Sequence, residues 1–575
     1  MKMNLNRKIA TLVLLGVLLT GAWSCKKVFD VVPEDKLDSS NAYKNVSDAD
    51  AAVIGIYGKF LGLHKLYTIQ NELRGDLVDV TGKSSQAIQE ISAHTQTKAN
   101  PYVDPRPYYE VIMQCNDVLK NFKMMLADKR MSVEDYNRRY SDIGALRSWI
   151  YLQLGIQYET VPYITEAFET VSDLKNVATH PRIQFDQLLD ELIKFTEALP
   201  YKDVYAYPSG SSLNVTIDGN ATLKTFVSKF FLLGDLYLWK GNYFKAAENY
   251  AKMMNGENNN ANSNVYFNYY KIVTNTDQYT NLGMQYTRYQ DESTLVNSFD
   301  VGWRAIFGLP TTSTSWNGEW IWAMPYNAAF NPVNPMINFL SPLKDYQVKP
   351  SQVAIDLWEN QNQNSGIPYD ARGKLSYSSS VLGNAITKLT DNGGKWGLYR
   401  AGLLHLRFSE AANRDGQTKL GWAFLNTGII NTYYVGAIVA GAKSPATEAE
   451  LNTMITPYPR ESPYYFDARK NSDLSAIWYR NVGIRNRAGV AALDVSYQTD
   501  LLGLEEKLID EAALELAFEG NRWPDLVRVA RRQNNPAFLA DRIYQKLLKA
   551  GNPNAAATRS KLLDPANWYL PFDWN

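Results

Sequence analysis

The chain has only two cysteines in 575 residues, Cys25 and Cys115. Two thiols cannot build a disulfide framework, so a body of this size must be held together by burial. Charge of one sign is also missing, with 59 Lys and Arg against 59 Asp and Glu. That balance excludes nucleic acid as the main partner, because phosphate backbones are met by a basic surplus. Histidine is scarce: His64, His94, His180 and His405 are scattered. No HExxH pair, CxxC pair, GxSxG elbow, GxGxxG loop or P-loop occurs, and no EF-hand pattern. The sequence therefore gives no reason to expect an enzyme, a metal or a cofactor. After one early apolar run, Ile9–Ala22, no stretch is long and apolar enough to span a bilayer.

Hydrophobic residues make up 45% and charged residues 21%, as in an ordinary folded protein, and the length suggests two or three subdomains. Aromatic residues reach 13%, with 14 Trp and 37 Tyr. Such rings either fill a large helical core or, on loops, stack on flat apolar faces such as those of sugars. Arg7 and Lys8 precede the Ile9–Ala22 run, which is shorter than a membrane span and fits a secretory signal. Ala22-Trp23-Ser24-Cys25 follows. The cysteine stands where the run ends, the place of a lipid-modified residue; the alternative is a cleaved secretory signal with an incidental thiol. Ser24 and Cys25 suit lipidation, whereas Ala22 and Trp23 depart from the usual pattern. Residues 25–41 read as a tether behind a signal peptide, 1–24. Cys115, in the helical stretch Tyr108–Met125, reads as a buried, inert thiol.

From Val46 to about Met254 the periodicity is mostly helical, with Ser47-Asp48 placed to cap the first helix and residues 81–107 read as a long loop. Asp135–Tyr163 forms another helix. Lys224–Met254 is the clearest repeat unit: Leu233-Gly234, Tyr237, Gly241, Tyr243, Ala246 and Tyr250 fit a tetratricopeptide helix pair. Leu146–Gly155 and Leu403–Gly416 read as degenerate copies. A pair of this kind cannot bury its apolar face alone, so neighbours must stack on it.

After the low-complexity Asn255–Asn264 the pattern becomes irregular. Trp320, Trp322 and Met324 alternate like a strand, and Asn392-Gly393-Gly394 marks a turn before Trp396. Trp303, Trp316, Trp320 and Trp322 lie within twenty residues. Loop-borne rings on a rigid scaffold suit ligand binding, so Trp316, Trp303, Trp320 and Trp396 are the candidate ligand-contact residues, with Tyr102 on a second wall. Core packing is the competing reading for each. Residues 426–458 look like an insertion, with Val435–Ala442 as a buried strand.

Near the C-terminus Leu508–Arg532 reads as two helices. Leu508, Ile509, Ala512, Ala513, Leu516 and Ala517 make an apolar face, and Glu511, Glu515 and Glu519 step along another side. Gly520 reads as the stop, Pro524 as the start of the next helix, and Asp525 and Arg528, Arg531 and Arg532 as its complementary ends. The acids are expected to pair with Arg522 and Arg528. Glu515 and Glu519 are also the best available carboxylate pair for a glycoside hydrolase, an alternative the expected ion pairs weaken by keeping both acids ionised.

ELAFEGNRW-x-DLVR within this stretch resembles the C-terminal signature of the SusD/RagB family. NAYKNVSDADAAVIGIYGKF, ELRGDLVD, the Asp370-x-Arg372 element, LLHLRFSEAANRDG, GIRNRAG and NWYLPFDWN resemble other family segments in the family's order. One departure stands out: Glu159 occupies a turn position where the family usually has glycine. The resemblance implies a mostly α, SusD-like fold, in which tetratricopeptide-type helix pairs pack against an irregular, loop-rich subdomain with a few short strands. Residues 42–300 would form the helical N-terminal region and 301–575 the C-terminal region with the ligand-facing part. Arg407, Glu410 and Asn413 would be scaffold. It further implies an outer-membrane lipoprotein anchored through Cys25 and exposed at the cell surface. Such a protein captures an oligosaccharide, or as second choice a peptide, for a SusC/RagA-type TonB-dependent transporter. A secreted tetratricopeptide scaffold binding only protein partners is the other non-enzymatic reading.

Overall fold

The computed structural model describes residues 43–168, 180–255, 303–312, 319–327, 332–364, 366, 368–434, 448–459, 461–466, 468 and 483–574. Cys25, the 25–41 tether, Trp316 and the Val435–Ala442 strand lie outside these residues. Among the described residues no helix is long and apolar enough to cross a membrane.

The helical repeats form one continuous array. Arg106–Ala127 packs on Val133–Tyr158, which packs on Phe185–Glu197, which packs on Lys229–Lys240 and then Tyr243–Asn255. The array does not stop there. Tyr243–Asn255 packs on Ala401–Arg414, which packs on both Thr418–Leu425 and Leu501–Glu515. Glycines let these helices cross closely. A Cβ on Gly234 would lie 2.3 Å from the Tyr250 ring, and one on Gly155 2.3 Å from Phe185. Cys115 is fully buried in this array, and burial pushes its thiol up to about 12.

Several boundaries differ from the sequence reading. The first helix, Val46–Leu61, is capped by Asn45, whose side chain accepts the N–H of Ser47 and Asp48 while Asp48 accepts the N–H of Asn45. Residues 81–107 are not one loop: Gln86–Ala93 is a helix whose Ile88 and Ile91 are buried, closed by His94 in the left-handed region. Leu501–Glu515 ends before Gly520 because Leu516–Glu519 turn away, with Phe518 and Gly520 at positive φ. The next helix, Arg522–Gln533, begins two residues ahead of Pro524. Two further helices follow, Ala537–Lys549 and Ala555–Leu562. All five sheets of the described residues are two-stranded and antiparallel.

The ion pairs of the C-terminal corner also differ from expectation. Glu515 meets Arg372, Arg400 and Arg487 at 2.6–2.8 Å, and Glu519 meets Arg400 and Lys388. Arg522 instead pairs with Asp76, and Arg528 with Glu410 and Asp525. Arg407 also meets Asp525, and the Asn413 amide donates to the Leu501 carbonyl, so these three positions are scaffold. Glu72 closes the corner from the other end of the chain. Its carboxylate accepts the backbone N–H groups of Phe518, Gly520, Asn521 and Arg522. ELRGDLVD and the C-terminal signature thus form a single locked unit.

Candidate functional site

The strand Trp320–Pro325 pairs antiparallel with Lys395–Arg400, in the register Lys395↔Pro325 to Arg400↔Trp320. One end of this pair is anchored in the core by charge. Glu319, just before the first strand, binds Arg400 at 2.8 Å and Arg487 at 2.8 Å. The opposite end, Met324–Asn327 with Gly394 and Lys395, opens on a cavity of about 630 Å³.

Across that cavity stands a hairpin, Thr216–Ile217 paired with Asn220–Ala221. Asp218 and Gly219 both have positive φ, as a two-residue hairpin turn of the primed kind requires. The hairpin is fixed by the segment after the helix Trp303–Gly308. The Thr311 N–H donates to the Asn220 side chain, the Ala221 N–H donates to the Thr311 hydroxyl, and the Thr312 N–H donates to the Gly219 carbonyl. Asn327 closes the rim by donating to the Asp218 carboxylate at 2.6 Å. Asp218, Asn220, Thr222 and Asn327 therefore supply donors and acceptors around an apolar floor of Leu309, Pro310, Met324 and Pro325, with the Tyr326 ring at its edge. A rim of short polar side chains above an apolar floor can take the hydroxyls and the apolar face of a sugar together. Lys395 lines the same cavity, its ammonium donating to the Phe307 and Leu309 carbonyls, and burial, partly offset by Asp391, pushes it down to about 7.

The tryptophans expected at a ligand face lie beneath this cavity, in the core. Trp303 is fully buried and its indole N–H donates to Ser376 at 3.0 Å. Trp320 donates to the Ile306 carbonyl at 2.8 Å, and Gly397 leaves room for its ring. Trp396 is stacked between Phe60, at 4.7 Å, and His64, at 5.3 Å. Trp322 holds the Thr225 carbonyl, so it braces the cavity wall from behind. In this arrangement Trp303, Trp320 and Trp396 offer no open ring face to a ligand; burial on both sides of the strand removes the in–out meaning of its alternation. Tyr102 is half-buried in the turn Pro101–Val103 and does not line the cavity. The residues that do line it were missed because the hairpin strands are too short for a periodic signal, although Asp218-Gly219 is a recognisable turn pair. Among the described residues no cluster of His, Cys, Asp and Glu suits a metal ion.

Glu515 and Glu519 are far from solvent. Burial alone would raise the Glu515 carboxyl, but Arg487, Arg400 and Arg372 overcome it and hold the group well below the usual carboxylate range. Glu519 is lowered in the same way by Arg400 and Lys388. Each works as a counter-ion in the core.

The search of curated proteins finds no relative of this sequence. Solved structures do share its fold. A SusD superfamily protein from Bacteroides vulgatus ATCC 8482 is 13% identical, with a TM-score of 0.55, over 92% of this chain and 96% of that one. A SusD-like carbohydrate binding protein from Bacteroides fragilis NCTC 9343 is 16% identical, with a TM-score of 0.54, over 86% and 88%. Surface glycan-binding protein A from Bacteroides uniformis is 14% identical, with a TM-score of 0.53, over 92% and 96%. At these identities the likeness is one of fold. The sequence adds a family match of its own: residues 469–571, the C-terminal part of the chain, match the SusD family.

Proposed function

We propose that this protein is a lipid-anchored, cell-surface binding protein that captures an oligosaccharide in the cavity between the Asp218 hairpin and the end of the Trp320–Pro325 strand, and delivers it to a TonB-dependent outer-membrane transporter. The observation that carries the reading is the Asp218–Asn327 rim over an apolar floor, held rigid by an anchored strand pair. The family and the carbohydrate-binding names of structures with this fold support it. Binding is noncovalent. Glu515 and Glu519, enclosed by guanidinium groups, give no support to a hydrolase. Cys25 is the proposed lipidation site. Trp316 remains a proposed contact; Tyr102, which does not line this cavity, is set aside, and Trp303, Trp320 and Trp396 are core residues.

The test is calorimetry against a panel of neutral and acidic polysaccharides and peptides. A panel member that binds should lose about tenfold in affinity in Asp218→Ala and in Asn327→Ala, the scale of one or two lost polar contacts. Unchanged affinity in both variants would remove the cavity as the site. Co-purification of a large β-barrel with the tagged protein from solubilised outer membranes tests the delivery role; its absence would leave a binding protein without a transporter.

A further inference from the structure

A second cavity, of about 720 Å³, lies in the repeat array between the helices Arg106–Ala127, Val133–Tyr158 and Phe185–Glu197. Its charged lining is Lys120, Lys123, Arg147 and Lys194 against Glu166 and Glu191. Arg147 is the unusual member, because it is 4% exposed yet has no carboxylate within ion-pair distance among the described residues. Its hydrogen bonds, to the Asn116 side chain at 2.6 Å and the Thr165 carbonyl at 3.2 Å, both use Nη1. The guanidinium also lies 4.6 Å over the Phe195 ring, which fixes its plane. Nε and Nη2 are thereby left for whatever enters the cavity. Arg372, Arg400 and Arg487, also buried, face carboxylates, while buried Arg74 is held by the Gln157 side chain and the Trp568 carbonyl. Lys123 and Lys194, both exposed, stand at the mouth without ion pairs among the described residues, and Tyr140 and Tyr163 add ring surface to the walls.

We propose that this cavity is an anion subsite for the carboxylate or sulfate of an acidic saccharide, with Arg147 at its floor and Lys123 and Lys194 at its mouth. A planar guanidinium with two free donors matches a carboxylate or sulfate, and the volume suits a small ligand. A recessed cation favours a sugar substituent over a flat protein surface. The proposal does not depend on the cavity beside Asp218.

Calorimetry with trigalacturonate, a sulfated disaccharide and neutral galactotriose tests it. At low salt at least one anionic probe should bind about tenfold or more tightly than galactotriose, and added salt should weaken it. The probe that binds distinguishes carboxylate from sulfate. Lys123→Glu with Lys194→Glu, both exposed and tolerable to the fold, should cut that affinity by about tenfold or more, and Arg147→Met should abolish it. Asp218→Ala should leave it unchanged, whatever the outcome at the first cavity. Equal binding of galactotriose, no saturable binding of either anionic probe, or insensitivity to the double lysine variant would overturn the proposal. So would a double variant that binds no saccharide differently but loses a co-purifying membrane protein, which would make the surface a protein contact.

Discussion

Replacing Glu515 with glutamine keeps the side chain's shape and removes one anion from the most heavily buried charge cluster of the described residues. Asp370, Glu319, Glu511, Glu515 and Glu519 there interleave with Arg372, Arg400, Arg485, Arg487 and Lys388. Glu515 accepts from Arg372 at 2.7 Å, Arg400 at 2.8 Å and Arg487 at 2.6 Å, all three within 1% of full burial at the side chain. Each charge-assisted bond contributes about 1.5–3 kcal/mol, but glutamine keeps one acceptor oxygen and the neighbours relax. The larger part of the cost is a guanidinium left short of counter-charge, and about 3–5 kcal/mol is the expected loss. Thermal melting at neutral pH, with circular dichroism confirming the fold, measures it. The pH dependence gives a second check. The folded-state carboxyl lies below its unfolded value, so its contribution is complete above about pH 4.3 and is lost as pH falls below that. The gap between the two proteins should therefore narrow in acid. A loss under about 1 kcal/mol, or a gap that widens in acid, would refute the assignment of Glu515 as an ionised core counter-ion.

Three further outcomes follow from local geometry. Glu159 has φ +61° and ψ −56° at the end of the Val133–Tyr158 helix, a region that favours glycine, so Glu159→Gly should stabilise by about 1 kcal/mol in a melting experiment. Gly234→Ala should destabilise by about 1–3 kcal/mol, because the facing Tyr250 ring is buried and its hydroxyl is tied to Asp235 at 2.6 Å. His64 is buried and neutral, held down to about 3 by burial, so it contributes stability that is complete above about pH 6.5 and falls away as pH drops toward 3; a variant with a neutral isostere at this position should flatten that part of the melting profile.

The parts of the fold that could be read from the sequence are those carried by local spacing. The Gly234/Tyr250 pair lies sixteen residues apart on two adjoining helices, and its small-and-large pattern marks the crossing in the sequence itself. The partners of Glu515 could not be read in this way. Arg372, Arg400 and Arg487 come from a short helix, a strand end and another short helix, and nothing local to Glu515 names them. The described tryptophans around residue 320 lie in the same part of the fold as the cavity but do not line it. Their rings are buried in the core, while the polar rim of the cavity comes from Asn327 and a six-residue hairpin, 216–221, about a hundred residues earlier. Exposure of a ring depends on what packs over it, and that is a property of the assembled fold.

The Glu72 carboxylate has a consequence for the order in which the molecule comes together. Its four backbone donors lie 446–450 residues downstream. Until Phe518–Arg522 has been synthesised, the segment around Glu72 holds a buried-type acid with nothing to receive it. The first helices can form and stack without the C-terminal part, but the Glu72 seam stays open until that part has joined them. A chain truncated before Phe518 should therefore be open to proteases at its N-terminal end, far in sequence from the missing residues.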